Sequence, residues 1–380
     1  MNILIAFLIF FCQPVLWIGM FRNYLNYRKR IDRERDLFTT AIYRSNNEFR
    51  HFIVSFLLLG VISSVVSILI GMMLPINFIV IYEILLLLNL VLIPTHIMPV
   101  FIAFLSAIGY LIIGNVYYIN QYTNLDLNMS AVANQNLLVF ITIILFLSGI
   151  YYKLFGGRMN SPQMYYNQRN TRKVFYIFKE LTVIPMLILI PGNLVSSIPY
   201  WPVFNFGHTT FSFLFLPVVL GLKFKFFNHI PKDYLHKLGN VILKFSALSL
   251  LVTGISYYFN FIVLYSLCAL ALIFLLIMLV FRTKDNKKTT PFAEAVNGIR
   301  VVAVEKDTPA SRMDISIGDI ITEVNDIPVK SESEFYQAVL QHPTYCRVKL
   351  TTPDNVIKLT ETAIYNDAPH ELGIVMFKKV

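Results

Sequence analysis

Every lysine and arginine of this 380-residue chain falls into one of four groups separated by long apolar runs. Eight lie between Arg22 and Arg50, 6 between Lys153 and Lys179, 5 between Lys223 and Lys244, and 13 from Arg282 onward. If the apolar runs are membrane spans, each near the ~20 residues that a hydrocarbon core requires, all four groups lie on one side. The opposite connections, such as residues 121–136, hold no basic residue. This is the asymmetry of the positive-inside rule, so the basic side is expected to face the cytoplasm. Composition agrees: 56% hydrophobic and 14% charged residues are a balance that a water-soluble domain of this length does not hide from solvent.

Nine segments can be drawn, at 2–21, 52–74, 76–93, 97–119, 137–155, 181–200, 204–222, 241–258 and 260–281. The predicted architecture is an α-helical multi-pass transmembrane domain of 8–9 spans over 1–281, a basic linker at 282–290, and a small α+β domain at 291–380. Nine crossings start outside and end inside; eight, with the amino terminus inside, is the rival count. Pro185, Pro191, Pro199 and Pro202 mark the sixth segment as kinked. With no basic residue ahead of it, the first run reads as a retained anchor rather than a cleaved leader.

The formal charge of +10 divides unevenly: residues 1–281 hold 19 basic and 8 acidic groups, and residues 282–380 hold 13 and 14. The excess therefore reports topology, and no nucleic-acid partner is expected. Basic cytoplasmic loops are expected to lie against anionic lipids, at roughly 1 kcal/mol per residue near the surface. The stretch from Arg22 to His51 has two readings, an amphipathic helix on the inner leaflet or an ordinary solvated loop. Cys12, Cys268 and Cys346 offer no paired extracellular set and read as free thiols.

From Pro291 the pattern becomes that of a soluble domain. Gly298–Val304 alternates as a strand. Thr308-Pro309 opens a short helix, and Ile320–Val324 is a second strand between the turns Gly318-Asp319 and Asn325-Asp326. Ser331 and Glu334 form a capping box for a helix running to about Gln341. Arg347–Thr351 and Val356–Thr360 form a hairpin across Pro353–Asn355, and Leu372–Phe377 is a last strand.

This succession resembles bacterial PDZ domains of the HtrA type over about 85 residues. Asp326 stands where that family usually has glycine, and aspartate tolerates the left-handed turn. The carboxylate-binding motif of the family has its best match at the extreme end, at Leu372-Gly373-Ile374, implying a rotated strand order. The resemblance implies β-augmentation, in which a peptide is added to an exposed sheet edge. Leu372, Gly373 and Ile374 would cradle its end, Val375 would pair its backbone, and Tyr336 and Val339 would form the opposite wall. The chain's own tail, Lys378–Val380, is the alternative occupant.

No HExxH, GxSxG or phosphate-binding glycine loop is present in the sequence, so neither enzyme, metal nor cofactor is expected. Glu83 in the third segment is the one hint of transport, against the plainer reading of a hydrogen-bonded carboxyl between helices. The whole layout resembles the MinJ-like membrane proteins of Gram-positive bacteria. That resemblance implies a non-catalytic membrane scaffold in septum placement, binding division-site or polar proteins through the PDZ groove, with self-association open. A regulator of secretion or membrane proteolysis that presents client tails, and a transporter, are the alternatives.

Overall fold

The computed structural model describes residues 3–38, 41–42, 46–92, 98–115, 131–158, 161–166, 172–196, 201–202, 210–285, 292–295, 297–305, 308–342, 344–364 and 372–377. The membrane region contains α1 (Ile3–Cys12), α2 (Pro14–Phe38), α3 (Asn47–Ile70), α4 (Ile76–Leu92), α5 (Pro99–Asn115), α6 (Ala131–Leu154), α7 (Pro231–Ser256) and α8 (Ile262–Asp285). Among the described residues four helices are long and apolar enough to cross a membrane, α3, α6, α7 and α8; α1 and α2, bent by 53° at Gln13, make a fifth if counted as one span. The basic stretch after Phe21 continues α2 to Phe38 rather than forming a separate loop.

The largest departure from the predicted eight or nine helical spans is in the sixth and seventh segments, where residues 181–196 and 210–222 are strands. β1 (Ser161–Tyr166), β2 (Arg172–Ser196) and β3 (Thr210–Phe226) form an antiparallel sheet in that order, and β2 is buried continuously from Glu180 to Leu189. Ten residues from Leu181 to Ile190, at ~3.3 Å each, cover about the thickness of a hydrocarbon core. An open two-stranded ribbon in that medium would expose backbone groups at several kcal/mol each, so its edges must be satisfied.

The register shows how. Pro185 stands opposite Pro217; neither can donate, so this is a non-hydrogen-bonded pair whose nitrogens face the outer edges, where a proline leaves no orphan donor. By the two-residue period, positions 181, 183, 187 and 189 of β2 and 215, 219 and 221 of β3 also turn their polar groups outward. Each side chain or loop that meets them fits that phase. Ser64 of α3 donates to the Pro185 carbonyl at 3.3 Å and accepts from the Leu187 amide at 3.1 Å. Leu189 donates to the Met72 carbonyl and accepts from Leu74. Across the ribbon, Gln13 donates to the Phe215 carbonyl at 3.2 Å and the Tyr152 hydroxyl to Gly221 at 3.1 Å, and the Val219 backbone is bonded to the Tyr82 hydroxyl. Small residues bring the helices close enough: a Cβ on Gly60 would meet Pro185 Cγ at 2.9 Å, and one on Gly19 would meet Val183 Cγ2 at 2.5 Å.

The C-terminal region holds β4 (Ile299–Val304), a 3-10 turn (Pro309–Arg312), β5 (Ile320–Val324), β6 (Ile327–Pro328), α9 (Glu332–Leu340), β7 (Tyr345–Thr351), β8 (Ile357–Ala363) and β9 (Ile374–Met376). The sheet order is β8-β7-β5-β4-β9, with β6 paired to β5. Its core gathers Val301, Ile321, Val324, Phe335, Ala338, Val348 and Leu350. The turns follow the sequence closely: Asn325 and Asp326 have φ of 50° and 65°, and Asn355 has 61°. Ser331 caps α9, its hydroxyl accepting from the Glu334 amide at 3.3 Å, while the Glu334 carboxylate accepts from the Lys330 amide. α8 runs on to Asp285, into the stretch read as linker; residues 286–291 lie outside the described residues.

Candidate peptide-binding site

β9 lies at one end of the strand order, antiparallel to β4, with Ile374 opposite Val304 and Val375 opposite Ala303. Its alternating side chains face two different partners. Leu372, Ile374 and Met376 enter the domain core, where Phe335 and Ala338 of α9 are buried and Val339 packs against the same cluster. Val375 and Phe377 turn the other way and join the core of the membrane region. The structure thus brings Leu372, Ile374 and Val339 together, leaves the half-exposed Tyr336 stacked edgewise on Phe335, and commits the Val375 side chain elsewhere. The tail Lys378–Val380 lies outside the described residues.

Gly373 makes the approach to β9 possible. Its φ is +84°, a region that side-chain-bearing residues rarely adopt, and a Cβ there would meet Thr308 Oγ1 at 2.2 Å. The amide of Ala310 donates to the Leu372 carbonyl at 2.9 Å and that of Glu305 to Gly373 at 2.8 Å, so the 3-10 turn holds the loop in place. The Thr308 hydroxyl is committed to the Glu305 carbonyl rather than to capping the turn. Away from the groove, burial pushes the Cys346 thiol up to about 11. Burial likewise raises the Asp319 carboxyl, against the hydrogen bond it accepts from the Ser316 amide.

Sequence reading missed how the domain seats on the membrane sheet. Past Phe226, where β3 ends opposite Tyr176, residues 292–294 take the vacated place beside β2. Val174 donates to the Phe292 carbonyl at 3.0 Å, Glu294 to Arg172 at 3.1 Å, and Lys173 bridges Ala293. The Arg172 guanidinium forks onto the Glu294 carboxylate at 2.7 and 3.0 Å and lies over the Phe377 ring. The Tyr176 hydroxyl donates to the Val302 carbonyl at 2.7 Å, and its ring meets Phe292. The available signal was that Ile374–Phe377 is apolar on both faces, whereas an end strand of a free domain commonly has one polar face.

The PDZ domain family matches residues 278–353, which covers β4 to β7 and stops short of β9. The chain is 24% identical over 380 residues to the cell division topological determinant MinJ of Bacillus subtilis, covering 97% of this chain and 94% of that protein. The chain is a MinJ-like protein with a C-terminal PDZ domain. It is also 26% identical over 233 residues to a probable cell division topological determinant MinJ of Lacticaseibacillus paracasei, 58% of this chain and 60% of that one. The apolar helices make it a membrane protein, and a PDZ domain makes it a protein that binds other proteins.

Proposed function

We propose that this chain is a non-catalytic membrane scaffold in the spatial control of cell division, holding division-site or polar proteins at its PDZ domain. The observation that carries the reading is similarity along nearly the full length of a cell division topological determinant, in a chain whose PDZ domain ends its sheet on β9. In this reading the four basic groups place the PDZ domain in the cytoplasm. A hairpin whose strands each cross once leaves the same parity as two helices. A peptide would add along β9, between it and α9, with Leu372, Gly373 and Ile374 at its end and Tyr336 and Val339 on the facing wall.

Docking of the domain on β2 gives this clamp a defined direction relative to the bilayer, which a flexible tether would not. The test is a fluorescent fusion together with a deletion: septal enrichment and misplaced septa are expected, and normal division with altered secreted proteins would favour the client-presenting regulator instead. For the groove, Tyr336→Ala in the full chain is expected to weaken partner capture while leaving the fold intact. Gly373→Glu is a poor probe, because the collision with Thr308 distorts the loop itself. Orientation is checked with a thiol reagent on Asp354→Cys in the exposed β7–β8 turn, since native Cys346 is fully buried. Labelling of that turn from outside intact cells would overturn the cytoplasmic assignment.

A further inference from the structure

Where β2 and β3 leave the apolar part of the molecule, Lys179 stands directly opposite Lys223. Directly opposed like charges destabilise a sheet, and here no compensation comes from the neighbouring helix. The charges that act on Lys179 are Lys223, Arg33, Lys29 and Arg22, all positive. Positions 22, 29 and 33 follow one flank of α2, with Asn26 between them at helical spacing.

Two adjoining clefts result. Arg22 and Lys223 line one; Asn26, Arg33 and Lys179 line the other. Among the described residues neither lysine has a carboxylate within ion-pair distance. Asn26 is 9% exposed, yet its side-chain Nδ2 donor has no partner, and a buried unmet donor costs about 1–3 kcal/mol. Two carboxylates also line the clefts: Glu48, held by Arg30, and Glu180, one residue out of phase with Lys179, whose Oε2 meets His51 and Tyr151 while its Oε1 has no partner. Arg22 and Arg33 donate to the Val91 and Lys29 carbonyls; the facing lysines without a counter-ion, beside the unmet Asn26 donor, are what an external anion would satisfy.

We propose that the flank of α2 and the Lys179–Lys223 pair form a binding site for a phosphate oxyanion, presented by the headgroup of an anionic phospholipid. Lys179 stands two residues before Leu181, where the apolar run of β2 begins, and Asn26 follows the apolar first turns of α2; in a chain spanning along those runs, a headgroup phosphate would meet the protein there. A phosphate would accept from Asn26 and Arg33 and be neutralised by the two lysines, replacing repulsion with charge-assisted hydrogen bonds. This deepens the scaffold reading and rests on its inner-leaflet orientation only for the source of the lipid; the binding itself is measured on solubilised protein.

Full-length protein in neutral detergent is titrated with phosphatidylglycerol, phosphatidylcholine or inorganic phosphate, and followed by melting temperature and by lipid retained in native mass spectrometry. Phosphatidylglycerol is expected to raise the melting temperature and stay bound where phosphatidylcholine does not. In Lys179→Gln/Lys223→Gln most of that shift and retention should vanish, while the lipid-free melting temperature holds or rises because repulsion is relieved. Lys232→Gln/Lys237→Gln, which removes equal charge from the exposed start of α7, should behave as wild type. Protection by inorganic phosphate equal to that by the lipid would assign the site to a soluble phosphate. No protection by either, or equal losses in both double variants, would overturn the site, whatever the septal localisation shows.

Discussion

The molecule contains two antiparallel sheets that solve the same edge problem in opposite ways. In the membrane sheet, outward groups at Pro185, Leu187, Leu189, Phe215 and Gly221 meet Ser64, the Met72–Leu74 segment, Gln13 or Tyr152, and at Pro185 and Pro217 the donor is simply absent. In the PDZ sheet β8 is mostly exposed or half-exposed, and Lys349 and Lys358 reach across to Glu323 and Asp314. Water satisfies such an edge at little cost, whereas hydrocarbon does not. Of the two end strands of the PDZ sheet, β8 is the one open to water, whereas β9 is buried on both faces, between the domain core and the membrane region.

The comparison is broken most severely by separating the ribbon from its cover. Gly60→Leu forces α3 off Pro185, and a loss of about 3 kcal/mol, the upper end for overpacking, is expected in the melting of the detergent-solubilised chain. The PDZ domain should keep its own structure, reported by Cys346 remaining unreactive to thiol reagents until a second, higher transition.

Removing single edge partners sharpens the contrast. Ser64→Ala takes away both a donor and an acceptor and should cost about 2 kcal/mol, at ~1 kcal/mol per bond. In the PDZ sheet Thr322→Val, which loses a 3.1 Å bond to the Lys349 carbonyl in a half-buried position, should cost less than half as much. Pro217→Ala is expected to destabilise by about 1 kcal/mol, because it creates an outward N–H without an acceptor; the same exchange in a wet edge strand would be neutral or favourable. Smallest of all, Lys349→Ala removes a half-exposed pair with Glu323 and should change stability by less than ~0.5 kcal/mol. Equal effects of Ser64→Ala and Thr322→Val would show that the two edges are not in different solvents.

The PDZ turns were legible because each depends on local chemistry. Asn325-Asp326 and Asn355 adopt left-handed backbone, Ser331 caps α9, and Ile320–Val324 is bounded as drawn. Residues 181–196 and 210–222 were not legible as strands, since an apolar run carries no period that separates a buried strand from a buried helix. Pro185, Pro191 and Pro217 were the available clue. Pro185 and Pro191 read as helix kinks in the sequence; with Pro217 they are instead edge positions without donors, and only the register across the ribbon distinguishes the two. The Leu-Gly-Ile motif marked where β9 begins, while the burial of Leu372 and Ile374 in the domain core and the seating of Val375 and Phe377 on the membrane region depend on partners distant in the chain.

By itself the sequence determined that this chain is apolar enough to enter a membrane, that its basic residues fall into four groups between apolar runs, and that its C-terminal part turns where a PDZ domain turns, because composition and short-range backbone preference are local quantities. The tertiary structure decided that two of the apolar runs pair as a ribbon, that Ser64 and Gln13 close its edges, and that the PDZ domain rests on its basic end. Those outcomes depend on which distant groups meet an unpaired amide or carbonyl, and that is a property of the assembled fold.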